Sequence, residues 1–590
     1  MTRSIVAPTL SSDPGQLPVR KGFVDVPHGQ VHYRTAGFGP PVVLLHDSPR
    51  SSSMHVPMLQ ALGREFTAIA IDTPGYGHST PLPAEPRPEI PDFARALAET
   101  LQAFGIERCP VYGFHTSSKI NLQFAIDHPG RVSLAIIDGL NLPPGGPSDE
   151  FITRYMKPYV IQDDGSHLAA TWARGRDLFR FFPWFDTRAA TRLPLDFPDE
   201  RALHRYVLDM LLSGTHYSAA YGAAMRYLAL PQVGRVRART VFMCRENDPL
   251  YVFLDSLPDP LPAGCSVERL SGDPEAWAAR VTALLREGAA SGGGGGGTAP
   301  SGIRLPDPLA RPRAAETRGY LNLPHGQLHL RRCGVGRQRP VLLLHECPGS
   351  SVGVRDFAEA LAHDRSVYSP DLPGVGESDA LSAPDVAAFA TVLVQMLDAL
   401  GLAQVDVVAQ FSAAPFALEL ARVAANRVHA LAFDGIWLLG AAERRTLWRQ
   451  YCPPLPPRAD GTHLIALWHR LRDQELSWPW FERSRQGIRR REAPIAGERL
   501  TAIATDLALQ PASYGDAALA ALEYDVKPAL DAVTQPVLLL HDAADVRYQW
   551  TAKVEKRLRR SATAPRPAAS IERAKLVLAH FTAPPELRRS

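Results

Sequence analysis

Asp72-Thr73-Pro74-Gly75-Tyr76-Gly77-His78-Ser79 returns in the second half of the chain as Asp371-Leu372-Pro373-Gly374-Val375-Gly376-Glu377-Ser378. Proline and glycine at those offsets mark a tight loop, and in each copy a short apolar run precedes it, Ala68-Ile69-Ala70-Ile71 in the first. Working outward, Val42 to His46 returns as Val341 to His345. Further upstream, Gly22-Phe23-Val24-Asp25-Val26-Pro27-His28-Gly29-Gln30-Val31-His32 returns as Gly319-Tyr320-Leu321-Asn322-Leu323-Pro324-His325-Gly326-Gln327-Leu328-His329. The last pair alternates about a His-Gly turn, as two antiparallel strands do. The order of the repeated segments is collinear, and each unit carries its own strands and helices, so the repeat is of whole domains and not of a solenoid. Short apolar strands alternating with amphipathic helices imply a mostly parallel sheet with helices on both faces. The fold class expected is therefore α/β, twice over.

The chain of 590 residues is too long for one hydrophobic core, and 45% hydrophobic with 21% charged residues is an ordinary globular balance. The spacing predicts a flexible lead-in over 1–20 and a first domain over 21–287. A Gly/Pro-rich linker over 288–317 and a second domain over 318–590 follow. Six glycines, Gly292 to Gly297, set the linker apart as a tether without a fixed backbone. Aromatic, helix-like segments at about 142–232 and 438–525 interrupt the strand–helix rhythm and read as an inserted helical cap in each domain.

Basic and acidic residues number 64 and 61 and are spread through the chain, so nothing points to nucleic acid or an anionic membrane. A small-molecule substrate is the expected partner, with pairing of the two domains within the chain left open. Six cysteines without CxxC spacing exclude a disulfide framework or a zinc ribbon. The segment Met1 to Arg20 has no apolar core of a secretory signal, and no apolar run reaches the ~20 residues that span a bilayer. A cytoplasmic location is the expectation. No HxxxH or HxH spacing supports a metal, and no cofactor motif occurs.

An apolar strand ending in His46, the Asp72 to Ser79 loop and a strand–turn–helix from Val111 to Ala125 resemble the α/β-hydrolase superfamily, particularly its cap-bearing esterases, epoxide hydrolases and dehalogenases. The resemblance covers nearly all of both halves and implies two tandem α/β-hydrolase-like domains, each a mostly parallel sheet flanked by helices with a cap. It implies a hydrolase acting on a small apolar or acyl-bearing molecule. In that family the nucleophile sits at the apex of a G-x-nucleophile-x-G elbow, and the following backbone N–H helps bind the oxyanion. The first copy reads Gly113-Phe114-His115-Thr116-Ser117, which puts His115 at the apex, with Thr116 and Ser48 as oxyanion residues. The second reads Ala409-Gln410-Phe411-Ser412-Ala413, with Phe411 at the apex, or Ser412 if the register slips by one.

The family's acid follows the seventh strand, where Asp248 and Asp545 stand. Its general-base histidine follows the eighth; the first copy has none there, and the second offers His580 after Ser570-Ile571-Glu572-Arg573, with no final helix expected beyond it. Acid replaces the glycine after the strand-three histidine, as Asp47 and Glu346. Asp47 or Asp248 would hold His115 as nucleophile or general base; the alternative is that Asp47 and Glu346 face solvent or cap a turn. In the second domain Ser412, Asp545 and His580 are the weaker set. Asp138-Gly139 and Asp434-Gly435 are relocated acids or strand ends. The caps share Asp164-Gly165-Ser166-His167 with Trp172 and Arg174 against Asp460-Gly461-Thr462-His463 with Trp468 and Arg470, which either line the cleft or dock cap on body. Three readings stand: a hydrolase with a non-serine centre in domain 1 and a degenerate domain 2, a cofactor-free lyase, isomerase or cyclase, and a pseudohydrolase that binds without chemistry.

Overall fold

The computed structural model describes residues 17–143, 145–157, 159–292, 305–310 and 313–583. The lead-in through residue 16 and most of the glycine run of the linker lie outside the described residues, whereas 288–292, assigned by sequence to the linker, close the helix Pro274–Gly292. Two compact units emerge, Met1–Val160 with Thr171–Pro308 and Ile161–Ala170 with Leu309–Ser590. Residues 161–170, inside the first cap by sequence, thus count with the second unit.

In the first unit β1 (Arg20–Val26), β2 (Gly29–Ala36), β3 (Pro41–Leu45), β4 (Thr67–Ile71), β5 (Cys109–Phe114), β6 (Val132–Asp138), β7 (Thr240–Arg245) and β8 (Cys265–Leu270) form one sheet in the order β1-β2-β4-β3-β5-β6-β7-β8. The pairings β1–β2 and β2–β4 are antiparallel and the rest parallel. Val42 and Leu44 of β3 belong to one buried cluster and Val43 and Leu45 to another, so the sheet is covered on both faces. That is why β3 and β4 read as unbroken apolar runs instead of alternating.

The second unit repeats the topology with β9 (Thr317–Leu323), β10 (Gly326–Cys333), β11 (Val341–Leu344), β12 (Val367–Pro370), β13 (Val405–Gln410), β14 (Val428–Asp434), β15 (Val537–His541) and β16 (Ser561–Pro565) in the order β9-β10-β12-β11-β13-β14-β15-β16. Helices lie between β6 and β7, among them Asp149–Tyr155, Ser166–Leu178 and Glu200–Ser213, and between β14 and β15, among them Ala441–Gln450, Thr462–Leu476 and Gly497–Ala508. These insertions are the caps. Among the described residues, no helix is long and apolar enough to cross a membrane.

The loop quoted first is tied down from within. Asp72 accepts from the buried Ser52 N–H at 2.6 Å, from the half-buried His78 N–H at 3.1 Å and from the buried His32 Nδ1 at 2.8 Å. Burial pushes the His32 imidazole down to about 4, and the histidine's company holds the Asp72 carboxyl well below the usual range, so the pair is a neutral ring donating to a carboxylate. Gly77, at φ 51°, passes so close that a Cβ would run into this carboxylate. His329 and Asp371 repeat the bond at 2.8 Å, with Gly376 in the same role. The strand-three histidines are scaffold as well: His46 Nδ1 donates to the Asp47 carbonyl at 2.7 Å while Nε2 accepts from Thr73 N–H at 2.9 Å, and His345 does the same with Glu346 and Leu372. Asp72→Ala strands three donors at once, two of them buried, and is expected to destabilise the first unit by about 3–5 kcal/mol. A denaturant midpoint unchanged from wild type would contradict this.

Candidate active site

β5 ends at Phe114, and the chain turns at His115 (φ 49°, ψ −109°) into the helix Thr116–Asp127. Among the described residues only His115 and Phe411 (φ 42°) are non-glycine residues at positive φ. A backbone so placed costs about 1–3 kcal/mol and persists only where its surroundings over-determine it. Here they do. His115 N–H donates to the Asp138 carbonyl at 2.9 Å, Ser118 Oγ donates to the Gly113 and Asp138 carbonyls at 2.9 and 2.6 Å, and Asn121 Nδ2 ties the Val111 and Ile136 carbonyls together. Both apices match the ungapped sequence register.

The His115 side chain is 30% exposed, and its Nε2–H donates to Asp248 Oδ2 at 2.8 Å. The other Asp248 oxygen accepts from Leu250 N–H at 2.9 Å, which fixes the carboxylate. Burial alone would lower the imidazole's pKa; the bond to Asp248, with the charges of Asp248, Asp47 and Asp138, outweighs it and raises the value above 6.5. Asp248 is shifted oppositely: burial pushes it up, but the His115 bond and charge hold it below its ordinary value. Of the two acids proposed for His115, Asp248 makes the bond. Asp47 acts on the ring through its field; it makes no ion pair among the described residues, and its Oδ1 is buried without a hydrogen-bond partner. Asp138 is a strand terminus: its carboxylate accepts from Tyr112 Oη and Trp277 Nε1, both at 2.8 Å. Trp277, on the helix after β8, thus reaches Asp138 from the stretch where the family keeps a base.

β3 and β5 are neighbours with Leu45 opposite Gly113, so the loops carrying Ser48 and Thr116 leave the same edge of the sheet. Thr116 opens the helix, where the first N–H groups have no intrahelical partner. Gly139 lies against the apex ring, and a Cβ there would come 2.5 Å from His115 Cδ2. Sequence reasoning missed Arg50, Ser51 and Asp209: Asp209 of the helix Glu200–Ser213 accepts from Ser51 Oγ at 2.6 Å and Arg50 Nε at 3.2 Å, latching the cap to the loop after β3. Their counterparts Ser350 and Asp506, 2.7 Å apart, are a signal that aligning the two halves would have exposed.

The second domain's set of Ser412, Asp545 and His580 does not assemble. Ser412 is buried behind the apex, accepting from Cys347 N–H at 2.7 Å and donating to its carbonyl at 3.0 Å. Asp545 accepts from Arg489 Nε at 3.0 Å and pairs with Arg547. His580 lies on the final helix Ser570–Thr582, where burial pushes its ring down to about 4 and its Nε2 is buried without a hydrogen-bond partner. The true eighth strand is Ser561–Pro565, so Ser570 to Arg573 opens the final helix that the sequence was expected to lack. The apex is closed by Arg547, whose guanidinium carbon lies 3.7 Å from the Phe411 ring centre while Nη1 donates to both Glu346 oxygens at 2.9 Å. Glu346 therefore does not face solvent. Phe411 rests on Gly435 as His115 rests on Gly139.

The shared cap residues bond within the caps. His167 accepts from Gln162 N–H at 3.2 Å and meets Thr501 at 2.9 Å within the second unit, where Trp468 Nε1 also reaches Thr501 at 3.2 Å. His463 accepts from Arg458 N–H at 3.2 Å. Trp172 is a core residue at 3% exposure. Arg174 donates to the Tyr155 and Lys157 carbonyls between the rings of Trp184 and Tyr217, and Arg470 donates to the Tyr451 carbonyl beside Tyr514.

The family profile described as the alpha/beta hydrolase fold matches residues 40–162 and 339–552. The chain belongs to the α/β hydrolase fold family. Haloalkane dehalogenase 2 of Mycobacterium tuberculosis is 29% identical over 120 residues, 20% of this chain and 42% of that protein. Fluoroacetate dehalogenase of a Burkholderia species is 27% identical over 210 residues, 33% of this chain and 69% of that protein. The chain spans less than half the length of the first of these relatives. Among solved structures, an epoxide hydrolase from an endophytic Streptomyces aligns at 20% identity with a TM-score of 0.37, over 46% of this chain and 96% of that one. A thermophilic esterase from Thermogutta terrifontis aligns at 20% identity with a TM-score of 0.35, over 45% and 96%.

Two outcomes follow from the charges. The His115 imidazole should titrate above 6.5 by NMR and fall in Asp248→Asn. Since the folded value exceeds the free one, the charged ring stabilises the fold below pH 6.5, and that contribution is lost as pH rises through the folded value. Arg547→Met leaves Glu346 buried without its cation and should lower the second unit's stability by about 3–5 kcal/mol, read from its thermal or denaturant transition.

Proposed function

We propose that the first domain is a hydrolase of small apolar or acyl-bearing molecules with a non-serine centre, and that the second is degenerate. One observation carries this: the imidazole of His115 stands at the strained apex with Nε2–H bound to Asp248 at 2.8 Å. That bond fixes the tautomer and leaves Nδ1 as the basic nitrogen. As general base, Nδ1 takes a proton from water, the hydroxide so formed adds to the acyl carbon, and the proton passes to the leaving group as the carbonyl re-forms. The N–H groups of Thr116 and Ser48 are the candidates to receive the oxyanion. Phe411 has no lone pair or transferable proton, and Arg547 covers it, which supports the degenerate reading of the second copy.

A second reading is favoured by the chain after β8, where Trp277 stands and no second base does. A single proton transfer, as in a lyase or isomerase, needs that one base and neither a bound water nor a leaving-group proton. In both readings the partner is a small molecule and the setting the cytoplasm.

Short-chain nitrophenyl esters separate the two. Hydrolysis by wild type is expected, with kcat/KM falling about 100-fold or more in His115→Ala and staying within about twofold in Phe411→Ala. The rate should rise with pH as the ring loses its proton, and Asp248→Asn should move that limb to lower pH. Esterase activity that survives in His115→Ala would overturn the histidine centre, and wild type inert to every ester would favour the proton-transfer reading. A fluorophosphonate should leave the intact mass unchanged, because Ser412 is bonded behind the apex and Ser117 Oγ is bonded to Phe114.

A further inference from the structure

The two copies differ at one pair of positions in a way that points to a ligand. In both, the acid after the seventh strand caps its own turn, Asp248 from Leu250 N–H at 2.9 Å and Asp545 from Arg547 N–H at 3.0 Å, so Leu250 and Arg547 are equivalent. Asp47 and Glu346 are equivalent likewise, each following a histidine whose ring donates to its carbonyl. In the second copy the Arg547 guanidinium lies on the apex ring and is bound by the acid after strand three. In the first copy the apex ring and the acid remain, but the guanidinium is replaced by an aliphatic side chain. Leu250 flanks Gly139, against which the His115 ring packs.

What is left in the first copy matches that substitution. Asp47 Oδ1 is buried with no partner, and Arg50, the cation nearest to it in sequence, is turned to Asp209. The charge of Asp47 acts on His115, on the Arg50 guanidinium and on the phenols of Tyr76, Tyr112 and Tyr206. Carboxylate plus aromatic faces is a setting for a planar cation. We infer that the first domain binds a small molecule bearing an amidinium or guanidinium group, held by Asp47 over the His115 ring as Glu346 and Phe411 hold Arg547. The second copy carries the equivalent of that ligand in its own sequence. This rests on the reading of His115 as the centre of the site and names the class of molecule it takes.

Benzamidine is the probe, with benzamide as its neutral isostere and benzoate as its anion, titrated calorimetrically into the full chain. One benzamidine per chain should bind about tenfold or more tighter than benzamide, with benzoate weaker still. Asp47→Asn should erase the preference for benzamidine over benzamide. Leu250→Arg should abolish benzamidine binding by supplying the cation from within. Equal affinity for all three probes, or a preference that survives in both variants, overturns the inference. The outcome is separable from that of the catalytic reading: ester hydrolysis lost in His115→Ala together with no benzamidine preference would refute the ligand class alone, whereas benzamidine preference with His115-independent hydrolysis would refute the histidine mechanism alone.

Discussion

A parallel strand that must hand its chain to a helix in a single residue has no ordinary backbone conformation to use, and that constraint organises both halves of this protein. At His115 and at Phe411 the backbone is driven to positive φ, where side chains other than glycine are strained. What holds it there is the hydrogen bonding around it: the carbonyl at the end of strand six or of the glycine after it takes the apex N–H, and buried polar side chains of the following helix take the strand's spare carbonyls in the first copy. The geometry persists whatever the apex side chain is. One copy has used that freedom to mount an imidazole on a carboxylate, and the other to bury a phenyl ring under a guanidinium.

The duplication makes each copy the other's control. Features common to both, such as the His–Asp pair at the first loop, the strand-three histidine and the cap latch of Ser51 with Asp209 or Ser350 with Asp506, belong to the scaffold. Features that differ, the apex ring and what lies on it, mark where the copies have diverged. By that rule the repeated cap residues His167 and His463, Arg174 and Arg470 were structural from the outset, because a signature kept around an imidazole and around a phenyl ring alike has no business with either. Their hydrogen bonds to the Gln162, Arg458, Tyr155 and Tyr451 backbones agree.

The fold was legible because it is written in local terms. Glycines such as Gly77 and Gly376 sit where no other residue fits, and β3 and β4 are continuous apolar runs because both sheet faces are covered. Asp248 was legible because it follows its strand at a fixed offset. Three things were not. Ser570 to Arg573 resembles the β8 stretch Ser266 to Arg269 of the first copy yet begins a helix, which moved His580 onto the wrong element. The contest between Asp47 and Asp248 for His115 turned on side-chain direction, which spacing does not encode. The closure of the second site depends on Glu346 meeting Arg547 from far along the chain, and nothing near either residue announces the other.

Gly139 and Gly435 lie at positive φ, so the turn after strand six calls for glycine on backbone grounds alone. The bare α-carbon this leaves is the surface on which both apex rings rest. A small nucleophile at the apex would leave that face uncovered, and enlarging it to a ring displaces nothing. The backbone's own need for glycine in that turn thus makes room for bulk at the apex, and the seat is the same for an imidazole as for a phenyl ring.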